Sequence, residues 1–263
     1  DIAFGNGNNV ISADAAQLGN VAVGTGVNTV TLQGTSVMGN FTGATNSNNT
    51  VTIKGDGGST PTFGVLNAGT GGNDRLIFDD AQHTQTTAGD ILNFENLELI
   101  NGSLFTSNAA LAMEGPSGVG RIAIDNGSTF AVDSVGAYHL NHRLTGDGHI
   151  TVDTNNQTFS FGAGSGSAFS GDVTLNNSLF TLASDNTVAL TNATLVAGSG
   201  SITTVGSGVQ NIGNLTINHG AISFGNVNAP GGASGKASNS INTGVLKIDA
   251  GGIINITPAT AIN

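Results

Sequence analysis

The chain has no cysteine and no tryptophan, one tyrosine and four prolines among 263 residues. Without cysteine there is no disulfide scaffold, so packing and hydrogen bonds must hold the fold by themselves. Basic residues are almost as scarce: six Lys and Arg stand against 17 Asp and Glu, for a formal net charge of −11. Binding nucleic acid needs clustered Lys and Arg to meet phosphates, so nucleic acid is excluded as a partner. No run approaches the roughly 18 apolar residues of a membrane-spanning helix, and no direct membrane insertion is expected. The opening Asp1-Ile2-Ala3-Phe4 has neither the basic start nor the apolar core of a secretory signal. It reads as the start of a mature protein or a cut fragment.

What the chain has instead is glycine, 41 residues, and asparagine, 32 residues, together with abundant Thr, Val and Ile. That mixture favours short strands joined by many turns. Disorder is the rival for so polar a composition, but it would not set Val, Ile, Leu and Phe at regularly alternating positions. One apolar-polar-apolar-polar word recurs: Val30-Thr31-Leu32-Gln33, Val51-Thr52-Ile53-Lys54, Ile122-Ala123-Ile124-Asp125, Ile150-Thr151-Val152-Asp153, Val173-Thr174-Leu175-Asn176, Leu215-Thr216-Ile217-Asn218 and Leu246-Lys247-Ile248-Asp249. Leu76-Ile77-Phe78-Asp79 and Leu97-Glu98-Leu99 are variants. A degenerate copy falls near Val188-Ala189-Leu190-Thr191 or Thr194-Leu195-Val196, which brings the mean step to about 24 residues. A second short run often follows a corner, as in Thr129–Val132, Thr158–Phe161, Leu179–Leu182, Ala221–Phe224 and Ile253–Ile256.

Such a period, with two or three short strands per unit, predicts an all-β fold, a parallel β-helix (β-solenoid) of about ten coils. The whole of 1–263 is expected to form a single β-helix domain or fragment. Inward Val, Ile, Leu and Phe would stack in columns about 4.8 Å apart, with Gly, Asn and Asp at the corners. A β-sandwich also has many short strands, but it does not explain one word returning in phase. Two stretches, Gly55–Thr62 and Ala229–Ser240, read as loops, the second as an exposed excursion from a coil.

The phrases Phe169-Ser170-Gly171-Asp172-Val173-Thr174-Leu175, Ala193-Thr194-Leu195-Val196-Ala197-Gly198, Val209-Gln210-Asn211-Ile212-Gly213-Asn214-Leu215 and Gly89-Asp90-Ile91-Leu92-Asn93-Phe94-Glu95-Asn96-Leu97-Glu98-Leu99 resemble the passenger domains of Gram-negative autotransporters. The nearest likeness is to the AIDA-type self-associating adhesins. The resemblance implies a right-handed, pertactin-like parallel β-helix on the bacterial cell surface, tethered to the outer membrane by a barrel that this chain does not contain. It also implies adhesion, cell aggregation and biofilm formation. The implied partner is another passenger, or else host matrix proteins or glycans such as glycosaminoglycans.

Motifs that carry chemistry are largely missing. There is no G-x-S-x-G elbow, no Walker loop and no G-x-G-x-x-G. Gly69-Thr70-Gly71-Gly72-Asn73-Asp74-Arg75-Leu76 is similar to a calcium-binding β-roll nonapeptide. It occurs once, however, and such a site needs stacked copies, so a corner before a strand is the plainer reading. The densest polar cluster is His139, His142, Arg143, Asp147 and His149. Two imidazoles three apart fall on opposite faces of a strand, so no metal is assigned and these read as solvated loop residues. Polysaccharide-cleaving enzymes also use β-helices and need carboxylates and a base in a groove. The chain is nevertheless read as a non-enzyme with no cofactor.

Stacking turns positions into columns, and two columns stand out. The second and fourth places of the word give an outward face of Thr31, Thr52, Thr151, Thr174 and Thr216 beside Asp125, Asp153, Asn176 and Asn218. This is the candidate self-association face, able to form many hydrogen bonds worth about 0.5–1.5 kcal/mol each. Solvated strand surface with turn-forming corners is the alternative. Lys54, Arg75, Arg121 and Arg143, spaced by about one coil, form a candidate glycan stripe. Glu98, in the same phase, offers an ion-pair ladder as the alternative.

Overall fold

The computed structural model describes residues 1–113, 119–224 and 239–256. Every strand pairing whose register is resolved between named strands is parallel, and the chain is a right-handed parallel β-helix of about ten coils. The stretch 214–224, which could be drawn as a hairpin, belongs to one coil. Ala221–Phe224 pairs with Ile202–Val205 and Ile253–Ile256, while Leu215-Thr216-Ile217 pairs with Leu195-Val196-Ala197 and Leu246-Lys247-Ile248.

The described chain forms two compact units, Asp1–Ala131 with His142–His149, and Val132–Asn141 with Ile150–Asn263. In the first, a seven-stranded sheet runs in sequence order through Asn9–Asp14, Val27–Gln33, Asn48–Lys54, Arg75–Asp79, Asn96–Ile100, Arg121–Ile124 and Arg143–Gly146. The repeated word supplies its core. Val30, Val51, Leu76, Leu97, Ile122 and Leu144 form one inward column, and Leu32, Ile53, Phe78, Leu99 and Ile124 the next; none is more than 1% exposed. Aromatic rings pack against these columns: Phe78 and Phe105 lie 5.3 Å apart between centroids, and Phe105 and Phe130 5.7 Å. His83, in register with Phe105, takes a ring position in this stack.

The register corrects the spacing argument at one coil and decides between its alternatives at another. Ile122 pairs with Leu144, so Ile150 is not the next rung after it. The word at Arg143–Gly146 is masked in the sequence because Gly146 stands where an apolar residue is expected. In the second unit, the gap between Val173 and Leu215 is filled by Thr194–Ala197, which pairs with both. The alternative, Val188–Leu190, lies in and just beyond a short helix, Ser184–Ala189. The loop Gly55–Thr62 closes on itself through an Asp56–Ser59 bridge. Ala229–Ser240, apart from Asn239 and Ser240, lies outside the described residues.

A polar column runs inside the first unit, two residues before each word: Asn9, Asn28, Asn49, Asp74 and Glu95. Asn9 Nδ2 donates to Asn28 Oδ1 at 2.8 Å, and Asn28 Nδ2 donates to Asn49 Oδ1 at 2.9 Å. Asn28 and Asn49 are buried, so these amides are bonded where water cannot serve them. In the last described coil the inward residues are uncovered: Leu246 is 54% and Ile248 51% exposed, against 3% for Leu215 and 1% for Ile217 one coil earlier.

Replacing Asn28 by Ala removes the acceptor for Asn9 and the donors to Asn49 and to the Gly24 carbonyl. The expected loss is about 2–3 kcal/mol, the cost of buried polar atoms left unpaired, read as a lower urea midpoint. A change within error of the wild type would mean that the amide ladder does not stabilise the fold.

Candidate functional site: the outer columns

The outward positions of the seven-stranded sheet form columns set by the pairing register. One column reads Thr29, Thr50, Arg75, Asn96, Arg121, Arg143. Three of the four residues of the candidate stripe therefore share a column. Lys54 does not: it pairs with Gln33 and Asp79, four residues along the strand from Arg75's register. Glu98 belongs to the neighbouring column, in register with Ile77 and Ala123. From there it reaches two guanidinium groups. Arg75 donates from Nε at 3.2 Å and from a terminal nitrogen at 2.7 Å, and Arg121 donates at 2.8 Å while its Nε bonds Asn96 Oδ1 at 3.0 Å. The hydrogen bonds that Arg75 donates to Glu98 hold its guanidinium more firmly charged.

One carboxylate thus spans two of the three arginines, and Arg143 is exposed at the sheet edge. A polyanion docking here would have to compete with Glu98 for Arg75 and Arg121. The arrangement is first an ion-pair clamp between coils. Such half-exposed pairs are worth about 0–1 kcal/mol each.

The threonines divide between the units. In the first, Thr31 and Thr52 are in register and are followed by Ile77, Glu98 and Ala123. In the second, Thr174 is followed by Val196, then Thr216, then Lys247. Thr151 lies in the strand His149–Phe161. All five are half-buried. The hydroxyl face is thus two short arrays with interruptions.

Its acidic and amide members mostly serve the corners. Asp125 accepts from the Asn101 N–H at 3.0 Å and from the Ser128 hydroxyl at 2.5 Å. Asp153 accepts from the Asn155 N–H at 3.0 Å and from Asn177 Nδ2 at 2.8 Å. Asn218 Oδ1 lies 2.7 Å from His219 Nδ1. Asn176 packs against Gly198 so closely that a Cβ there would sit 2.4 Å from Asn176 Oδ1.

Among the described residues no three His, Cys, Asp or Glu side chains are grouped so that they could hold a metal ion. His139 is exposed and lies 2.8 Å from the Ser160 hydroxyl. His142 is buried, which pushes its pKa down to about 4. The β-roll-like stretch is a corner, where Gly72 at φ +109° passes so near the Ser47 carbonyl that a Cβ would lie 1.8 Å from it.

Asp74, at the end of that stretch, turns inward. It has no exposed surface, its Oδ1 accepts the Asn49 N–H at 2.5 Å, and its own N–H donates to the Glu95 carboxylate. Asp74 Oδ2 is buried with no hydrogen-bond partner among the described residues. Burial pushes the Asp74 pKa up to about 7, and the Glu95 carboxylate adds to the rise. This carboxyl pair inside the coil stack was not among the candidates drawn from the sequence. The signal that finds it is the residue two places before each word.

These groups set a pH profile of stability. Asp74 keeps its proton in the fold to about pH 7 and loses it near 3.8 when unfolded. Its contribution is therefore full at acid pH and is lost as pH rises through about 7. Burial lowers His83 and His142 to about 4, from an ordinary 6.5. Their contribution is present above about 6.5 and is lost as pH falls toward 4. The two windows overlap: as pH rises between about 4 and 6.5 the histidines raise stability while Asp74 lowers it, and the two histidines outweigh the one carboxyl. Asp74→Asn should therefore steepen the rise of the thermal midpoint from about pH 4 to 7, because the amide keeps the bond from Asn49 and adds no charge beside Glu95. A rise no steeper in Asp74→Asn than in the wild type would show that Asp74 does not titrate there.

Among the described residues no helix is long and apolar enough to cross a membrane. No protein-family model and no solved structure matches the chain. Relatives do exist in Escherichia coli strain K12. The uncharacterized protein YuaQ is 29% identical over 200 residues, covering 72% of this chain and 14% of YuaQ. The uncharacterized lipoprotein YdeK is 35% identical over 159 residues, covering 57% of this chain and 12% of YdeK. The chain is similar to a small part of each of these long proteins.

Proposed function

We propose that this chain is a non-enzymatic adhesive segment of a bacterial cell-surface protein of the autotransporter-passenger kind, whose partner is a second copy of itself. The observation that carries the reading is the outer surface of the coils. Its columns are in register and made mostly of short uncharged side chains, and two of its three aligned arginines are already held by Glu98. Flat repeated faces of this kind offer many weak contacts of one spacing. Contacts of that kind add up when many copies stand side by side. The length of the two relatives, of which this chain matches 14% and 12%, and the description of one as a lipoprotein support placement in a long protein held at a bacterial surface.

Host matrix proteins or sulfated glycans are the competing partners. They would call on the arginine column, and that contact would weaken steeply with salt. Sedimentation velocity of the purified chain, from dilute to concentrated solution and at low and high salt, separates these readings. Self-association predicts a sedimentation coefficient that rises with concentration and persists at high salt. A strict monomer throughout would overturn the proposal.

A further inference from the structure

In the second unit the runs that follow the corners stack as Leu179–Leu182, Ile202–Val205, Ala221–Phe224 and Ile253–Ile256. Their inward residues Phe180, Thr203 and Ile222 are buried. Their outward residues make two columns. The first is Leu179, Ile202, Ala221, Ile253, and the second is Thr181, Thr204, Ser223, Asn255. Leu179, Ile202 and Ile253 are 39%, 46% and 52% exposed. Single apolar residues at a surface need no explanation. Large apolar residues at three of four successive positions of one column, with alanine at the fourth, make a continuous ridge beside a row of hydroxyls and an amide.

Two properties of this strip say what it meets. None of its eight residues is ionisable, in a chain of net charge −11. Two copies meeting through this strip bring no acidic groups together, so they meet without like-charge repulsion. The apolar column is also complementary to its own reverse. Turned by a two-fold axis passing between Ile202 and Ala221, the order Leu, Ile, Ala, Ile sets each bulky Ile202 against an alanine. The coil spacing of about 4.8 Å is common to both copies, so the two ridges stay in step along their length.

We propose that this strip is the contact between two copies of the chain. Leu179 packs against the partner's Ile253, Ile202 against the partner's Ala221, and the hydroxyl rows form the rims. The four described coils present well under the roughly 800 Å² per partner of a standard stable interface. One such contact is therefore weak and reversible. The inference rests on the self-association reading and gives it a place.

The test compares the wild type with Ile202→Lys/Ile253→Lys and with Thr174→Lys/Thr216→Lys by sedimentation velocity, with circular dichroism to confirm the fold. All four positions are outward-facing, so the fold should survive. The expected result is loss of association in the isoleucine variant over the range where the wild type associates, and no change in the threonine variant. Association in the isoleucine variant equal to the wild type, or its loss in the threonine variant alone, overturns the strip and leaves self-association standing. A monomeric wild type overturns both. Because the chain has no cysteine, Ala221→Cys gives a second readout: a short bis-maleimide should link two copies through this position. It should fail to do so through Thr52→Cys in the first unit. Linking of the Thr52→Cys variant alone would overturn the strip.

Discussion

Parallel pairing in register is the constraint from which the rest of this structure follows. A strand in a coil cannot satisfy its backbone groups within that coil; its partners belong to the coils before and after. Each residue is therefore forced to sit over its counterpart one coil away, and like meets like. Valine and leucine stacked on themselves make a dry core. Asparagine stacked on asparagine makes an amide ladder, and arginine stacked near arginine must find a carboxylate, as Arg75 and Arg121 do in Glu98. A residue's surroundings are set less by its sequence neighbours than by what stands about one coil away.

This explains what could be read in advance. The apolar word was legible because a stacked core repeats its own chemistry: Val30, Val51, Leu76 and Leu97 announce one another. The rung at Leu144 was not, because only one of its inward positions keeps a large apolar side chain and Gly146 holds the other. The step from Ile122 was drawn to Ile150 instead. Lys54 was placed with Arg75 on spacing alone. Coils of unequal length break that argument, since the pairing advances 21 residues from Val30 to Val51 and 25 from Val51 to Leu76. The threonines were correctly read as strand residues. What spacing could not reveal was Val196 between Thr174 and Thr216, or the engagement of Asp125 and Asp153 in their own corners.

The buried acids show the same limit from another side. Asp74 looked like a turn residue or a cation ligand because it follows two glycines and an asparagine. Its fate is decided by Asn49 one coil before and Glu95 one coil after. A carboxyl that takes the place of an amide in such a ladder is most easily kept as the neutral acid. The fold thus admits an acidic residue to its interior in its uncharged form.

Alternation along each strand also fixes phase. A slip of one residue between Val27–Gln33 and Asn48–Lys54 would set Thr29 and Thr31 over Val51 and Ile53, polar groups against a dry core. Each coil therefore accepts the next only in step, in the way that a toothed rack accepts only a pinion of its own pitch.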